Sequence, residues 1–465
     1  MLENVKLYRH QEETIRFYEK NPYCMNWSEP GTGKSITAIA AMEGKGSCLV
    51  VCPAFLTRNW VEEIEKFTGE KAAIWPKTAR ITVQSVDSLY KDSEPFKAAN
   101  VVVLDEFHTI NNPTSRRSST FFQYVQNFKP RQLIMMSGTP MRNRVPELFV
   151  PLSLMDLFYK SGFRLKFPST YSFNMNFCFP IERRIGSRFV TQYEGVRNAD
   201  YLKQLLAPLH IKFSLEELED LPDIVFEEVV IPVKKDLGVT TLDRELEAGW
   251  QDMELGKPPP SHISTLKKMS AIDKVLFGTT YVRSLIDAGS GPIVVFSDHV
   301  DPCKLIAAEI DDAEYITGET PMVDRNNIIR RFQAGKIPVL AGTIGAMSTG
   351  VTLTASNTLI FLDKSWVPSN NHQAYHRIHR VSQKRRCRVI SIVREGVDQR
   401  IVRALTAKEA TIHKVLEEDK TLEKISPRPK VGATIRKETT SPALVVRPSG
   451  VTLLMESSLE ILMAS

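Results

Sequence analysis

The chain has 465 residues, 42% of them hydrophobic and 25% charged, with a formal net charge of +6 and six scattered cysteines. This is an ordinary globular composition, long enough for two to four domains at roughly 100–200 residues each. It has no C-x-x-C pair, no apolar run of about 18 residues and no apolar stretch after the MLENVKLYRHQ start, which argues against a zinc site, a membrane span and a signal peptide and for a cytoplasmic protein with reduced thiols.

The first chemical signal is EPGTGKS at 29–35, ahead of a helical stretch at 36–42. Glycines let backbone N–H groups approach phosphate oxygens, and a helix N-terminus adds positive potential. Gly31, Thr32 and Gly33 would form that cradle, Lys34 would reach the β- and γ-phosphates of ATP, and Ser35 would hold Mg²⁺. Ser28 stands where the eight-residue pattern wants glycine, and a small residue there still permits a tight turn. The competing reading is a plain Gly-rich turn.

Short apolar runs follow at 47–52 (SCLVVC), 101–104 (VVVL) and 133–136 (LIMM), and later at 293–296 (IVVF), 339–341 (VLA) and 359–362 (LIFL). Continuous apolar strands of this kind are buried on both faces, as in parallel sheets. Asp105 and Glu106 close the second run, where a carboxylate would bind Mg²⁺ through water and its neighbour would orient and deprotonate the attacking water. An acidic strand-end cap is the alternative. SGTP at 137–140 closes the third run, either as a generic turn or as the segment that couples hydrolysis to domain movement.

Between the two groups of strands the texture changes. Phe158, Tyr159, Phe163, Phe167, Tyr171, Phe173, Phe177 and Phe179 read as the core of inserted helices, with base stacking as the alternative; Arg183, Arg184 and Arg188 follow, then an acidic stretch at 216–220 and a GKPPP linker at 256–260. The expected fold is α/β: a doubly wound domain at 1–150, a helical insertion and linker at 151–264, a second doubly wound domain at 265–420, and a flexible C-terminal extension at 421–465. Gln373, Arg377 and Arg380 recur at i, i+4 and i+7, which predicts one helix face whose two guanidinium groups reach a γ-phosphate across a cleft. A basic solvent-facing helix is the alternative, and the run at 384–388 reads as a phosphate patch or a solvated face.

In order, these motifs resemble superfamily 2 helicases, and within them the Snf2-like branch. Residues 47–67 (SCLVVCPAFLTRNWVEEIEKF) resemble its motif Ia, 81–89 (ITVQSVDSL) its motif Ib, 350–356 (GVTLTAS) with LIFLDKSW its motif V, and 373–383 (QAYHRIHRVSQ) its motif VI. The resemblance runs over about residues 5–405. It implies two RecA-like domains, ATP and Mg²⁺ as cofactors, DNA as partner, Glu106 as general base, and Arg380 as arginine finger with Arg377 beside it. It implies that Gln11 reads the adenine edge, with His10 standing where the branch usually carries Tyr or Phe, and that Gly350 and Gln373 help to hold nucleotide. It places Arg58, Asn59, Trp60, Ser85, His299 and Thr349 against DNA, a packing or capping role being the alternative for each.

The compact length, without a bromodomain, chromodomain, zinc finger or annealing module, is similar to that of bacteriophage helicases that remodel branched DNA. Unwinding or branch migration of forks and junctions in recombination, repair or replication is the resulting expectation. Translocation on duplex DNA without strand separation stays open, as does a role as motor or scaffold subunit of a larger complex. The oligomeric state is left open, a monomer being compatible with the sequence.

Overall fold

The computed structural model describes residues 5–185, 188–215, 221–231, 263–347, 351–380, 382–394 and 397–416. The GKPPP segment, the acidic stretch at 216–220 and the C-terminal extension fall outside the described residues.

The first sheet holds β1 (Tyr23–Asn26), β2 (Cys48–Cys52), β3 (Ala73–Ile74), β4 (Ile81–Ser85), β5 (Val101–Asp105) and β6 (Gln132–Met136). After it come a separate antiparallel pair, β7 (Phe179–Ile185) and β8 (Arg188–Glu194), and then β9 (His210–Ile211), which returns to the first sheet beside β1. The order is β3-β4-β2-β5-β6-β1-β9, and every pairing is parallel.

The second sheet contains β10 (Ile224–Ile231), β11 (Ile293–Ser297), β12 (Glu314–Ile316), β13 (Val339–Thr343), β14 (Thr358–Phe361) and β15 (Cys387–Arg394), in the order β10-β15-β14-β11-β13-β12, again all parallel.

The apolar runs become central strands because both of their faces are covered. Leu49 and Val51 of β2 enter one core cluster while Cys48, Val50 and Cys52 enter the cluster on the opposite face. In β11, Val294 and Phe296 face one way and Ile293 and Val295 the other. Two-sided burial is what removes the polar alternation from such strands. All six cysteines are buried and free.

The stretch 151–264, read from the sequence as insertion and linker, gives one strand to each sheet. β9 extends the first sheet and β10 forms an edge of the second. β10 alternates between half-buried and exposed positions, as an edge strand with one solvated face does, and so carries no continuous apolar run.

Within the insertion, Phe163, Phe167, Phe173 and Phe177 are buried, with ring centroids 4.8–6.0 Å apart. Each such burial contributes about 1.5–3 kcal/mol, and the core reading holds for these four. Tyr171 and Phe179 are exposed.

The last described helix, Val397–Leu416, follows β15 of the second sheet, and its far end brings Ile412, Val415 and Leu416 onto Leu202 and Leu206 of the first lobe's core. Among the described residues no helix is long and apolar enough to cross a membrane.

Candidate active site

β1 leads into the phosphate loop, which turns on two left-handed glycines, Gly31 (φ +96°) and Gly33 (φ +87°). At Gly33 the positive φ favours glycine, and an added Cβ would also push aside the side-chain amide of Gln11. Gln11 is buried, and its Nε2 donates to Thr32 O at 3.2 Å, while His10 Nε2 lies 2.8 Å from the same carbonyl. The expected adenine reader is thus tied to the loop below it.

Ser28, the departure from the glycine pattern, has work of its own. Its Oγ accepts from Phe213 N at 3.1 Å, and Glu29 Oε2 accepts from Leu215 N at 2.9 Å. The chain returning from the insertion therefore clamps the loop.

Helix Lys34–Ala41 begins at the end of the loop, with Ser35 as its second residue. Lys34 Nζ donates to Ser28 O at 2.6 Å and to Glu29 O at 3.0 Å. Burial lowers its pKa, against the charges of Glu106, Asp105 and Glu29.

Asp105 ends β5, and Glu106 follows it in the left-handed region (φ +52°), a conformation that costs a residue with a Cβ about 1–3 kcal/mol. Glu106 Oε2 accepts from Ser137 Oγ at 3.0 Å and pairs with His108 Nδ1 at 3.1 Å. Burial alone would raise its pKa; His108, Lys34 and Ser137 outweigh burial and hold it below the usual carboxylate range. Asp105 goes the other way, raised by burial and by the Glu106 charge next to it.

From Glu106 a chain of contacts runs to the second lobe. Ser137 Oγ also accepts from Thr139 N at 3.1 Å, and Thr139 Oγ1 accepts from Gln373 Nε2 at 2.8 Å. Arg142 Nη2 donates to Asn370 Oδ1 at 2.8 Å nearby. The 137–140 turn is thus hydrogen-bonded both to the candidate base and to the opposite lobe. The sequence marked the 137–140 turn as a coupling segment; which atoms of Ser137 and Thr139 make the links, and the part of His108, depend on contacts that only the folded chain makes.

The helix that carries Gln373 runs Pro368–Tyr375 and stops short of both arginines. Arg377 Nε takes the Gln373 carbonyl and Arg380 Nε takes that of His376, each at 3.0 Å. These are the acceptors that helical amides at 377 and 380 would use, and Arg377 N bonds to Ala374 O instead. The predicted single helix face is replaced by successive turns.

The arginines nevertheless reach the first lobe. A Cβ on Gly31 would sit 3.5 Å from Arg380 Cγ, and the Arg377 charge acts on both Lys34 and Glu106. Phosphate loop, acidic pair and arginines therefore meet at one seam between the sheets.

Two family models match along the chain, the SNF2-related domain over residues 10–236 and the helicase conserved C-terminal domain over residues 268–382. The chain belongs to the SNF2-related helicases.

A mouse relative, "DNA annealing helicase and endonuclease ZRANB3", is 26% identical over 88% of this chain and 40% of its own length. A Xenopus tropicalis protein, "SWI/SNF-related matrix-associated actin-dependent regulator of chromatin subfamily A-like protein 1", is 24% identical over 79% of this chain and 40% of its own. The chain thus spans less than half the length of these relatives. The solved Sulfolobus solfataricus SWI2/SNF2 ATPase core in complex with dsDNA aligns with TM-score 0.41 and 20% identity, over 89% of this chain and 97% of that one.

The positions that the SNF2-like motifs suggested for DNA contact separate in the structure. Arg58 and Asn59 are exposed on the first turn of helix Thr57–Thr68, and Ser85 ends β4 beside Cys52 of β2. These three share the C-terminal edge of the first sheet with the phosphate loop, the edge where open α/β sheets bind ligands.

Trp60 is a correction. It is 1% exposed, and its Nε1 donates to Asp105 Oδ2 at 2.9 Å, so it holds the acidic pair rather than facing a groove. Its place three residues after the start of an amphipathic helix turns it inward.

His299 also turns inward, with Nε2 3.8 Å from the buried Asp363 Oδ2, and burial lowers its pKa. Arg388 of the basic run is bound bidentately to Glu227 at 2.9 Å, which leaves Lys384, Arg385 and Arg386 exposed. Thr349 and Gly350 lie outside the described residues.

Trp60→Phe keeps an apolar ring and removes the N–H donor. It is expected to lower ATP turnover roughly tenfold, the scale of one hydrogen bond to a charged group. Steady-state phosphate release, read beside the melting temperature, checks this; an unchanged rate in a folded variant removes Trp60 from the site.

Proposed function

We propose that this chain hydrolyses ATP at the seam between its lobes and uses the opening and closing of that seam to move along DNA, unwinding or branch-migrating forked and junction substrates in recombination, repair or replication. The observation that carries the reading is the composite site: Arg380 of the second lobe lies over Gly31 of the first, with Lys34 and Glu106 beside Arg377. A site completed only across two bodies links chemistry to their relative motion.

In this reading phosphates enter the loop of Gly31, Thr32 and Gly33, and Lys34 exchanges its two carbonyl partners for them. Ser35 and Asp105, a hydroxyl and a carboxylate, suit a hard cation, and bound Mg²⁺ would neutralise developing phosphate charge there. Glu106 orients water, Arg380 and Arg377 stabilise charge on the transferring group, and Gln373 reports the state of the site through Thr139. Arg58, Asn59 and Ser85 track one DNA backbone on the sheet edge. The relatives whose names carry helicase functions support the DNA reading.

The test is the ATPase rate at one fixed salt concentration with no polymer, single-stranded DNA, duplex, fork, four-way junction and RNA. Stimulation that is largest with forks and junctions is the expected result. Equal stimulation by plain duplex would favour translocation without strand separation, and none by any DNA would sink the proposal.

A further inference from the structure

Among the described residues the antiparallel pair β7–β8 belongs to neither main sheet and pairs only with itself. A lone two-stranded ribbon is marginal in water, so it needs an anchor. The root supplies one: Tyr193 and Val196 pack on the first lobe's core, Arg197 N donates to Phe177 O at 2.8 Å, and Asn198 Nδ2 donates to Asn176 O at 2.9 Å. Arg197 also lies over the Phe179 ring, 5.5 Å from its centroid. The root thus continues the rigid phenylalanine cluster of the insertion.

Phe189 is 72% exposed and Val190 40% exposed. By register Phe189 sits opposite Arg184 and Val190 opposite Arg183. The distal residues 183–190 carry three arginines and no acid. An exposed aromatic among arginines suits a nucleic acid, whose bases stack on rings and whose phosphates pair with guanidinium groups.

The root also adjoins the moving seam. Helix Thr170–Phe177, which leads into β7, packs on the turn Val145–Leu148, and Arg142 just before that turn donates to Asn370 of the second lobe at 2.8 Å. A ribbon whose root is anchored on one lobe beside the seam is carried forward as that lobe advances.

We propose that the ribbon formed by Phe179–Ile185 and Arg188–Glu194 is the strand-separating wedge, with Phe189 stacking on the last base pair of the duplex at a fork. This rests on the DNA-motor reading above and adds to it the element that converts translocation into unwinding.

The full chain with Phe189→Ala is compared with wild type and Phe189→Trp in two assays, DNA-stimulated ATPase and strand displacement on a fork, with melting temperature as the fold control. Phe189→Ala is expected to retain DNA-stimulated ATPase within about twofold and to unwind roughly tenfold more slowly, the scale of one lost base stack; Phe189→Trp should unwind like wild type. Wild-type unwinding by Phe189→Ala overturns the wedge, and with it leaves protein docking as the use of this surface. Equal loss of ATPase stimulation and unwinding also overturns it, since that marks general DNA binding. A wild-type chain that no DNA stimulates fails at the motor reading itself, a result separable from both.

Discussion

Glu106→Gln is expected to bind ATP as the wild type does and to turn it over roughly 10²–10⁴-fold more slowly, the usual contribution of a positioned general base. One carboxylate oxygen, Oε2, is held by both Ser137 Oγ at 3.0 Å and His108 Nδ1 at 3.1 Å, and the group remains ionised in a buried site because His108 and Lys34 stand near it. An ionised carboxylate only accepts hydrogen bonds. Glutamine preserves size and shape and can keep its carbonyl oxygen where Oε2 stands, but its amide takes no proton from water. The left-handed backbone at this residue fixes where the side chain points, so the substitution should leave the loop in place. Phosphate release at saturating DNA, together with equilibrium binding of a fluorescent ATP analogue, reads both halves of the expectation. Wild-type turnover in the variant would take the base assignment away from Glu106.

The architecture was legible where burial is two-sided. The runs at 47–52, 101–104 and 133–136 became β2, β5 and β6, and those at 293–296, 339–341 and 359–362 became β11, β13 and β14. The strand that delivers the phosphate loop was not read, because β1 is four residues long and reads Tyr-Cys-Met-Asn. β15 was hidden by the basic residues around its start, and β10 by the Glu227–Glu228 pair that interrupts its apolar residues. The site was legible at the residues that touch phosphate, whose spacing is set by local turns. The 137–140 turn was legible as a coupling segment, but not the hydrogen bonds that Ser137 and Thr139 make, nor the parts of Trp60 and His108, which depend on partners 29 to 45 residues away or on the opposite lobe. A motif reports which backbone positions a ligand needs; it carries no record of which neighbouring side chain holds them. Trp60 shows the cost of the difference, since the same motif position suggests a DNA contact and the fold makes it a support for Asp105.

Arg380→Ala is expected to leave nucleotide and DNA binding near wild type and to lower turnover about 10³-fold or more, the scale on which a trans-acting arginine stabilises phosphoryl transfer. Burial pushes its pKa down to about 10, which still leaves it charged at neutral pH. Its Nε donates to His376 O at 3.0 Å and its Nη1 to Thr352 Oγ1 at 2.8 Å, while the stem of the side chain lies against Gly31. Arg377 would be a poorer probe. It is 4% exposed and supports the second lobe through Gln373 O and Val351 O, so its loss combines a folding defect with a chemical one. Arg380 is the more exposed of the two and can be removed with less damage to the lobe. Arg380→Lys separates charge from geometry: a point charge on a flexible stem lacks the planar fork and should recover only part of the rate. Normal hydrolysis by Arg380→Ala would mean that the second lobe does not complete the site, and the coupling of hydrolysis to lobe motion would then have to run through Gln373 and Thr139 alone.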